Sequence, residues 1–167
     1  MVTKTVLCSL GIVVAAAGQP AGPPSVALTA LVGAYDVTDA AGVPAGALVV
    51  RDASTMRGGY EVVLSLGHPH ATYRTIYRLR ATEHPEHFRV VRSETDPALL
   101  EQAATARLVG ESLVISSWLV TRSGERVEVR DILGPANAGD LVVRTMVWPP
   151  SATAPTVLRV LMANRVQ

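Results

Sequence analysis

The chain has 167 residues, of which 49% are hydrophobic and 17% charged, and its net charge is +1 at pH 7 with histidine neutral. This length is typical of one domain, and so balanced a charge excludes a protein drawn electrostatically to nucleic acid or to an anionic membrane. The single cysteine, Cys8, also excludes an internal disulfide framework. Neutral small molecules or protein partners suit this composition best.

The N-terminal stretch has the features of a secretory signal peptide. Lys4 precedes an apolar run over 6–17, which ends in small residues that form an A-x-A cleavage pattern. The run is too short to span a bilayer comfortably, and no later segment approaches the roughly 20 apolar residues that a membrane-spanning helix needs. We expect a secreted or periplasmic protein with a signal peptide at 1–17, a leader or flexible segment at 18–30 and one folded domain at 31–167.

Alternating polar and apolar residues predict a series of β-strands in the first part of the domain. These strands lie around 33–38, 45–52, 60–66, 72–81 and 87–93, with residues typical of turns between them. The stretch over 95–103 breaks the alternation. Thr95 is a possible helix cap, Pro97 stands at a first helical position, and good helix formers follow, so we predict one short helix there.

The central stretch, 104–133, predicts three strands joined by two short turns. We pair Val120 with Val127 across the second turn. For the first turn, a three-residue loop over 110–112 is favoured over a two-residue loop, because it keeps Leu108 on the same face as the apolar residues that follow. This register places the following residues on the core face: Val114, Trp118, Val120, Val127 and Val129.

Two further strands, around 140–147 and 156–166, complete the chain. The fold class predicted is all-β: an antiparallel up-and-down meander of about eight to ten strands closed into a barrel, with one short helix. Closure is expected because it removes the unpaired edges of an open sheet. A β-sandwich is the alternative.

Three segments resemble the lipocalin-like, or calycin, barrels. They are Leu31-Val32-Gly33-Ala34-Tyr35, the meander ARLVGESLVISSW, and Met162-Ala163-Asn164-Arg165. That superfamily commonly opens with Gly-x-Trp and packs a late Arg across the Trp. The resemblance implies that Gly33, Tyr35 and Arg165 hold these positions, with Tyr in place of Trp. It also implies a barrel cavity for a small apolar ligand.

Several side chains are candidates to line such a cavity. Continued alternation points Asp131 inward, opposite Ser116, where a carboxylate needs hydrogen-bond partners or a ligand to orient. The alternative is that Asp131 lies at the rim of the barrel, in water or paired with Arg, and that the aromatic residues only fill the core. The predicted ligand-binding residues are Tyr60, Tyr73, Tyr77, Phe88, Ser116, Trp118, Val129 and Asp131.

Two other groups of residues were weighed as sites. The four histidines form two pairs, at 68–70 and 84–87, and the strand between the pairs would separate them by roughly 30 Å, so we expect no shared metal site. Arg74, Arg78 and Arg80 share the outer face of one strand, which Arg89 continues. This face suits an anionic partner, but nearby acidic residues favour a solvated surface.

The chain contains no phosphate-binding loop, G-x-S-x-G, zinc helix motif or cysteine nucleophile, so we expect neither an enzyme nor a cofactor. Our first hypothesis is an exported barrel that binds a small apolar molecule. The second is a structural or protein-interaction module with a filled barrel and no ligand. A third is a hydrolase or isomerase that uses Asp131 with a rim histidine. The ligand and the oligomeric state do not follow from the sequence.

Overall fold

The structure, a computed structural model, describes residues 26–53, 59–68, 71–84, 86–92, 100–120, 123–150 and 152–167. Its strands are β1 (Gly33–Thr38), β2 (Pro44–Asp52), β3 (Gly59–His68), β4 (Ala71–Ala81), β5 (His87–Arg92), β6 (Leu100–Val109), β7 (Ser112–Val120), β8 (Arg126–Pro135), β9 (Leu141–Trp148) and β10 (Thr156–Arg165). Each strand pairs antiparallel with its neighbours in sequence, and β1 pairs with β10 to close one barrel. The predicted all-β barrel is confirmed.

Helical structure is found at a different place from the one predicted. A short helix, α1, spans Val26–Ala30 and precedes β1, and a 3-10 turn spans Asn137–Gly139. The predicted helix over 95–103 is wrong at its end, because β6 begins at Leu100 and pairs there with Val120; residues 95–99 lie outside the described residues. Pairing with β7 overrides the local helix propensity of these residues. No helix among the described residues is long and apolar enough to cross a membrane.

Alternation along the strands separates the side chains of the lumen from those of the outer wall. Most of the buried hydrophobic residues form one cluster in the lumen, which includes Tyr35, Leu48, Val62, Tyr77, Leu79, Phe88, Leu108, Leu113, Ile115, Leu133, Val143 and Leu161. Val63, Ile76 and Val114 are buried on the outer wall. Leu28 of α1 and Leu31 belong to this cluster, so α1 closes the barrel at the end where β1 begins. We call this the helix end. The opposite end, where β1 and β7 finish, is called the far end.

Arg165 ties the helix end together. Its guanidinium donates hydrogen bonds to the backbone carbonyls of Ala30 (3.0 Å), Val32 (3.1 Å) and Gly139 (3.1 Å). It also donates to the Tyr35 hydroxyl at 2.8 Å and lies 5.1 Å from the centroid of that ring. One side chain therefore joins the last strand, the first strand and the C-terminal end of α1.

Tyr35 and Gly33 fit around this arginine. The Tyr35 hydroxyl donates to the Leu31 carbonyl at 2.8 Å. Burial raises the pKa of the Tyr35 phenol above 10.0, although the adjacent Arg165 charge opposes the shift. A Cβ atom at position 33 would lie 3.2 Å from the Tyr35 hydroxyl and 3.3 Å from the Arg165 guanidinium carbon, so glycine leaves the room they need. The expected packing of Arg165 across Tyr35 is confirmed.

The pairing of β7 corrects both turns predicted for the central meander. Leu108 pairs with Leu113 around a two-residue turn in which Gly110 has φ of 59°, and Val120 pairs with Arg126, not Val127. Both predictions placed the wrong face of β7 inward. The error arose because both faces of β7 carry apolar residues, so alternation alone does not select one.

A buried carboxylate lies on the outer wall. Glu61 of β3 is 2% exposed and stands between Arg51 of β2 and Arg78 of β4 in the strand register. It pairs with Arg51, and it accepts a hydrogen bond from Arg78 Nε at 2.9 Å. Burial acts to raise the pKa of the Glu61 carboxyl. The hydrogen bonds and positive charges of the two arginines outweigh burial and hold the pKa below 4.5.

We predict that Arg165→Ala lowers the free energy of unfolding by about 2 kcal/mol, because several carbonyls and the Tyr35 hydroxyl lose their donor. Urea denaturation followed by circular dichroism measures the change. Arg144→Ala, an exposed outer-wall change on β9, should stay within about 0.5 kcal/mol of wild type. Equal losses in the two variants would contradict a special role for Arg165.

We predict that Glu61→Gln lowers the free energy of unfolding at pH 7 by about 1 to 2 kcal/mol, because both arginines lose a buried carboxylate. Since the pKa of folded Glu61 lies below 4.5, this stabilisation is full above that pH and is lost as the pH falls through the folded value. The wild-type and variant curves should therefore converge in acid. Glu111→Gln, in an exposed turn, is the control, and a constant gap from pH 7 to acid would refute the assignment.

Candidate functional site

A chain of polar side chains crosses the apolar lumen. The carboxylate of Asp131, which is 6% exposed, accepts a hydrogen bond from the Tyr77 hydroxyl at 2.8 Å and one from the Thr145 hydroxyl at 2.6 Å. The Thr145 hydroxyl in turn accepts a hydrogen bond from Arg159 Nε at 2.9 Å. We call these four residues the lumen network. Its hydrogen bonds offset the cost of burying a carboxylate in an apolar core.

Strand register explains how these residues meet. Asp131 of β8 pairs with Thr145 of β9, and Thr145 pairs with Arg159 of β10, so three side chains lie in one row on the inner face. A β-bulge between Val157 and Arg159 keeps Arg159 in this row. Tyr77 comes from β4, which is not a neighbour of β8 in the barrel. Its hydrogen bond to Asp131 therefore spans the lumen.

Ser117 adds an unsatisfied polar group to the same space. It lies on the inward face of β7, two positions from Ile115, which is the residue paired with Asp131. Ser117 is 3% exposed, and its Oγ is a buried side-chain atom without a hydrogen-bond partner among the described residues. An unpaired buried hydroxyl costs about 1 to 3 kcal/mol, so its retention in the lumen calls for an explanation.

The two halves of the lumen differ in their exposure. At the helix end, Leu79, Phe88, Leu108 and Leu133 are buried. Towards the far end, several inward-facing residues are only partly buried, namely Leu66, Thr75, Val127, Val129 and Val147. Leu119, which faces inward at the far end, is nevertheless buried. The lumen is therefore closely packed at the helix end and less completely enclosed towards the far end, with Ser117 and Asp131 between the two. We call the less enclosed part the open half.

The structure brings together five of the predicted site residues on the inner face. Tyr60, Tyr77 and Phe88 are buried in the core cluster, Val129 is partly buried, and Asp131 joins the lumen network. Asp131 is thus buried in the lumen and not in water at the rim. The backbone of Tyr73 pairs with Leu66, but its side chain lies outside the described residues.

Ser116 and Trp118 lie on the outer wall, which corrects the prediction that Trp118 faces the core. Trp118 pairs with Glu128, and the guanidinium carbon of Arg126 lies 4.6 Å from the centroid of a Trp118 ring. This cation–π contact covers an aromatic side chain without burying it in the core. The predicted partner of Asp131, Ser116, pairs with Arg130 instead.

Ser117, Thr145 and Arg159 were not predicted as site residues from the sequence. A signal existed for Thr145, because Leu141, Val143 and Thr145 alternate along β9 and the polar member of an inward series marks a lumen site. Ser117 carried no such signal, since it stood on the face assigned to solvent. The bulge before Arg159 disturbs the alternation of β10 and conceals its inward direction.

His84 and His87 take no part in the lumen network, and the side chains of His68 and His70 lie outside the described residues. His84 and His87 lie close together, with ring centroids 5.6 Å apart, and both line a cavity on the outer wall. The barrel wall therefore separates this pair from Asp131, which gives no support to a catalytic Asp–His arrangement there. Within the described ranges, no three metal-ligating side chains of His, Cys, Asp or Glu come together.

Comparison of the chain with protein-family models, with curated proteins and with solved structures finds no significant match. Information on function therefore comes from the barrel and from the arrangement of residues in its lumen. The closed antiparallel topology is compatible with a lipocalin-like barrel, and the packing of Arg165 against Tyr35 is the one that the resemblance implied.

We predict that Ser117→Ala leaves the free energy of unfolding within about 0.5 kcal/mol of wild type or raises it, because it removes a buried hydroxyl that has no partner. Thr145→Val preserves the side-chain shape but removes the hydroxyl between Arg159 and Asp131. It should cost about 1 to 3 kcal/mol. Urea denaturation of both variants provides the comparison. Equal destabilisation would mean that Ser117 is hydrogen-bonded in the folded protein.

Proposed function

We propose that the protein is an exported, lipocalin-like barrel that binds a small, largely apolar ligand in the open half of its lumen. The observation that carries the proposal is the buried hydroxyl of Ser117, which has no hydrogen-bond partner among the described residues and lies diagonally across the β7–β8 pair from the buried carboxylate of Asp131. A ligand polar group that contacts both would offset the cost of leaving Ser117 unsatisfied. The ligand is therefore an apolar molecule with one hydrogen-bond donor, such as a hydroxyl or an amine.

The walls of the open half support the apolar part of this ligand. Val127, Val129 and Val147 face inward and are partly exposed, so a bound molecule would bury hydrocarbon that now contacts water. Burial of apolar surface contributes about 25 cal/mol per Å². Leu66 lies on β3, whose inward residues belong to the same lumen. An apolar ligand would thus gain most of its affinity from the wall and its orientation from the polar group.

The packed residues at the helix end form the bottom of the proposed binding site before any ligand binds. Tyr77 spans the lumen, and the residues between it and α1 are packed, so the ligand is confined to the far end. Asp131 is already held by Tyr77 and Thr145 and needs no rearrangement to accept another hydrogen bond. A pre-organised acceptor reduces the entropy that binding would otherwise cost. We propose binding without a chemical step, because both carboxylate oxygens already accept hydrogen bonds from neutral hydroxyls.

A second candidate function is a protein-interaction barrel. The observation that favours it is a strip of exposed hydrophobic residues on β10, where Val157, Leu158 and Val160 are 52%, 63% and 37% exposed. Contiguous apolar residues on an outer wall are typical of interaction surfaces. This function requires no ligand in the lumen, so a ligand-binding experiment separates the two candidates.

We predict that N-phenyl-1-naphthylamine, a neutral apolar amine, becomes fluorescent on binding to the open half. Val129→Trp should weaken its binding by about tenfold or more, because the larger side chain fills the space. Val160→Trp makes the same change on the outer wall and should leave the affinity unchanged. Circular dichroism must show that both variants are folded. Absence of binding to wild type would favour the protein-interaction barrel.

The polar group is tested separately by competition with 1-phenylnaphthalene, which lacks the N–H donor. Wild type should prefer the amine by about five- to tenfold, which corresponds to about 1 kcal/mol for one net hydrogen bond. Ser117→Ala together with Asp131→Asn should abolish this preference while the hydrocarbon continues to bind. An equal preference in wild type and the double variant would contradict a role for these two residues.

A further inference from the structure

The outer wall has a binding cavity of its own. A cavity of about 640 Å³ extends across the outer faces of β5 to β8, and its lining includes Arg89, Thr105, Arg107, Ser116, Trp118 and Arg130. These are outward-facing positions, so the cavity is separated from the lumen by the barrel wall. We call it the outer groove.

A row of residues with unequal side-chain length forms the groove. Arg89 pairs with Thr105, Thr105 with Ser116, and Ser116 with Arg130, so one row crosses four strands. Two short hydroxyl residues occupy the middle of this row, and a long arginine stands at each end. Adjacent strands lie about 4.8 Å apart, so the two arginine backbones are separated by roughly 14 Å. The short residues form the floor, and their hydroxyls face the space between the arginines.

Positive charge in the groove is not fully compensated. Arg130 forms an ion pair with Glu128 at 2.5 Å. Within the described part of the chain, Arg89 and Arg107 have no ion pair or side-chain hydrogen bond, and the same is true of Arg80, which pairs with Arg89. Glu128 is already used by Arg130. The outer groove therefore presents at least two guanidinium groups free to bind an anion.

The strand register adds an energetic reason for anion binding. Arg80 of β4 pairs directly with Arg89 of β5, so two like charges stand opposite each other on the outer wall. Directly opposed like charges destabilise a sheet. Arg107 lies diagonally from Arg89, because His87 is its direct partner. An anion held between these arginines would remove repulsion that the free protein retains.

Trp118 supplies a flat apolar wall at one side of the groove. It pairs with Glu128 and lies one row from Ser116, and the Arg126 contact holds its ring. Aromatic side chains of this kind pack against flat ligands while the polar groups beside them fix the orientation. Guanidinium groups bind phosphate through two parallel N–H donors, and this interaction is stronger and more directional than that of a point charge such as an ammonium group.

We infer that the outer groove binds a small phosphate monoester with a flat or cyclic body. The phosphate lies between Arg89 and Arg107 above the hydroxyls of Thr105 and Ser116, and the body of the ligand rests against Trp118. This site is independent of the lumen ligand. The groove suits a small molecule in preference to a polymer, because the unpaired arginines converge on one cavity of about 640 Å³.

Phenyl phosphate is a suitable probe, and Trp118 is a suitable reporter. The chain has two tryptophans, Trp118 and Trp148, so Trp148→Phe leaves Trp118 as the single one. Titration of this variant should give a saturable change in tryptophan fluorescence with Kd of about 1 mM or lower, weakened by added salt. Phenol should give no saturable change over the same range. The converse variant, Trp118→Phe, should show a smaller response, because Trp148 does not line the groove and contacts it only through Arg130, whose guanidinium carbon lies 4.1 Å from the Trp148 ring centroid.

Arginine substitutions in the single-tryptophan protein locate the phosphate. Arg89→Ala and Arg107→Ala should each weaken phenyl phosphate binding by about tenfold, as expected for loss of a charge-assisted hydrogen bond. Arg144→Ala removes an exposed arginine elsewhere on the outer wall and should change Kd by less than about twofold. A second readout is thermal stability: phenyl phosphate should raise the Tm of wild type and raise that of Arg89→Ala less.

Several outcomes would overturn the inference. Equal weakening by Arg144→Ala would mean that the anion responds only to general surface charge. If phenol and phenyl phosphate bound equally well, the groove would not recognise the phosphate group. If inorganic phosphate bound as tightly as phenyl phosphate, the flat body of the ligand and its contact with Trp118 would contribute nothing to the affinity. None of these results would bear on the lumen, because the outer groove and the open half share no lining side chain.

Discussion

The pairing of β1 with β10 closes the barrel, and both candidate sites depend on that closure. Arg165 secures it through backbone carbonyls on either side of the seam and through the Tyr35 ring. An open sheet would expose the inner face to water and would leave Asp131 solvated. Closure instead creates a lumen in which a carboxylate must be hydrogen-bonded, and it gives the outer wall the curvature on which long and short side chains form a groove.

Much of the fold follows from local pattern, because most strands have one apolar face. β1 carries clear alternation, and its bounds and inward residues are predictable from it. In β3 the inward residues Tyr60, Val62 and Leu64 were expected to share one face, although Val63 on the other face is also apolar and buried. The packing of Arg165 against Tyr35 was also expected, from a family resemblance. β7 is different. Its sequence is apolar on both faces, with Leu113 and Ile115 on one and Val114 and Trp118 on the other, so the correct face depends on the register with β6 and β8.

The residues that form each candidate site could be predicted only in part, because strand pairing between distant parts of the sequence determines which side chains come together. Asp131 was expected to face inward, but its partner Tyr77 lies 54 residues away on a strand across the lumen. No spacing rule links such positions. The observed pairing of β7 with β8 differs by one residue from the predicted pairing. Ser117 therefore faces the lumen, and Ser116 faces the outer wall. The outer arginines were expected to be a solvated surface, and Arg78 is indeed paired with an acidic residue, whereas Arg89 and Arg107 have no acidic partner among the residues that the structure describes.

β7 therefore serves both sites with neighbouring residues. Ser116 lies on the floor of the outer groove. Ser117 faces the lumen and lies diagonally across the β7–β8 pair from Asp131. Short polar residues on both faces of a strand bury less apolar surface than larger apolar residues would, so β7 gains less packing at these two positions. The barrel tolerates this because Leu113, Ile115 and Leu119 are buried on the inner face of β7, on either side of Ser117. Apolar burial along the rest of the inner face leaves room for one short polar residue towards the lumen and one towards the outer wall, and these are the polar groups that the two proposed sites require.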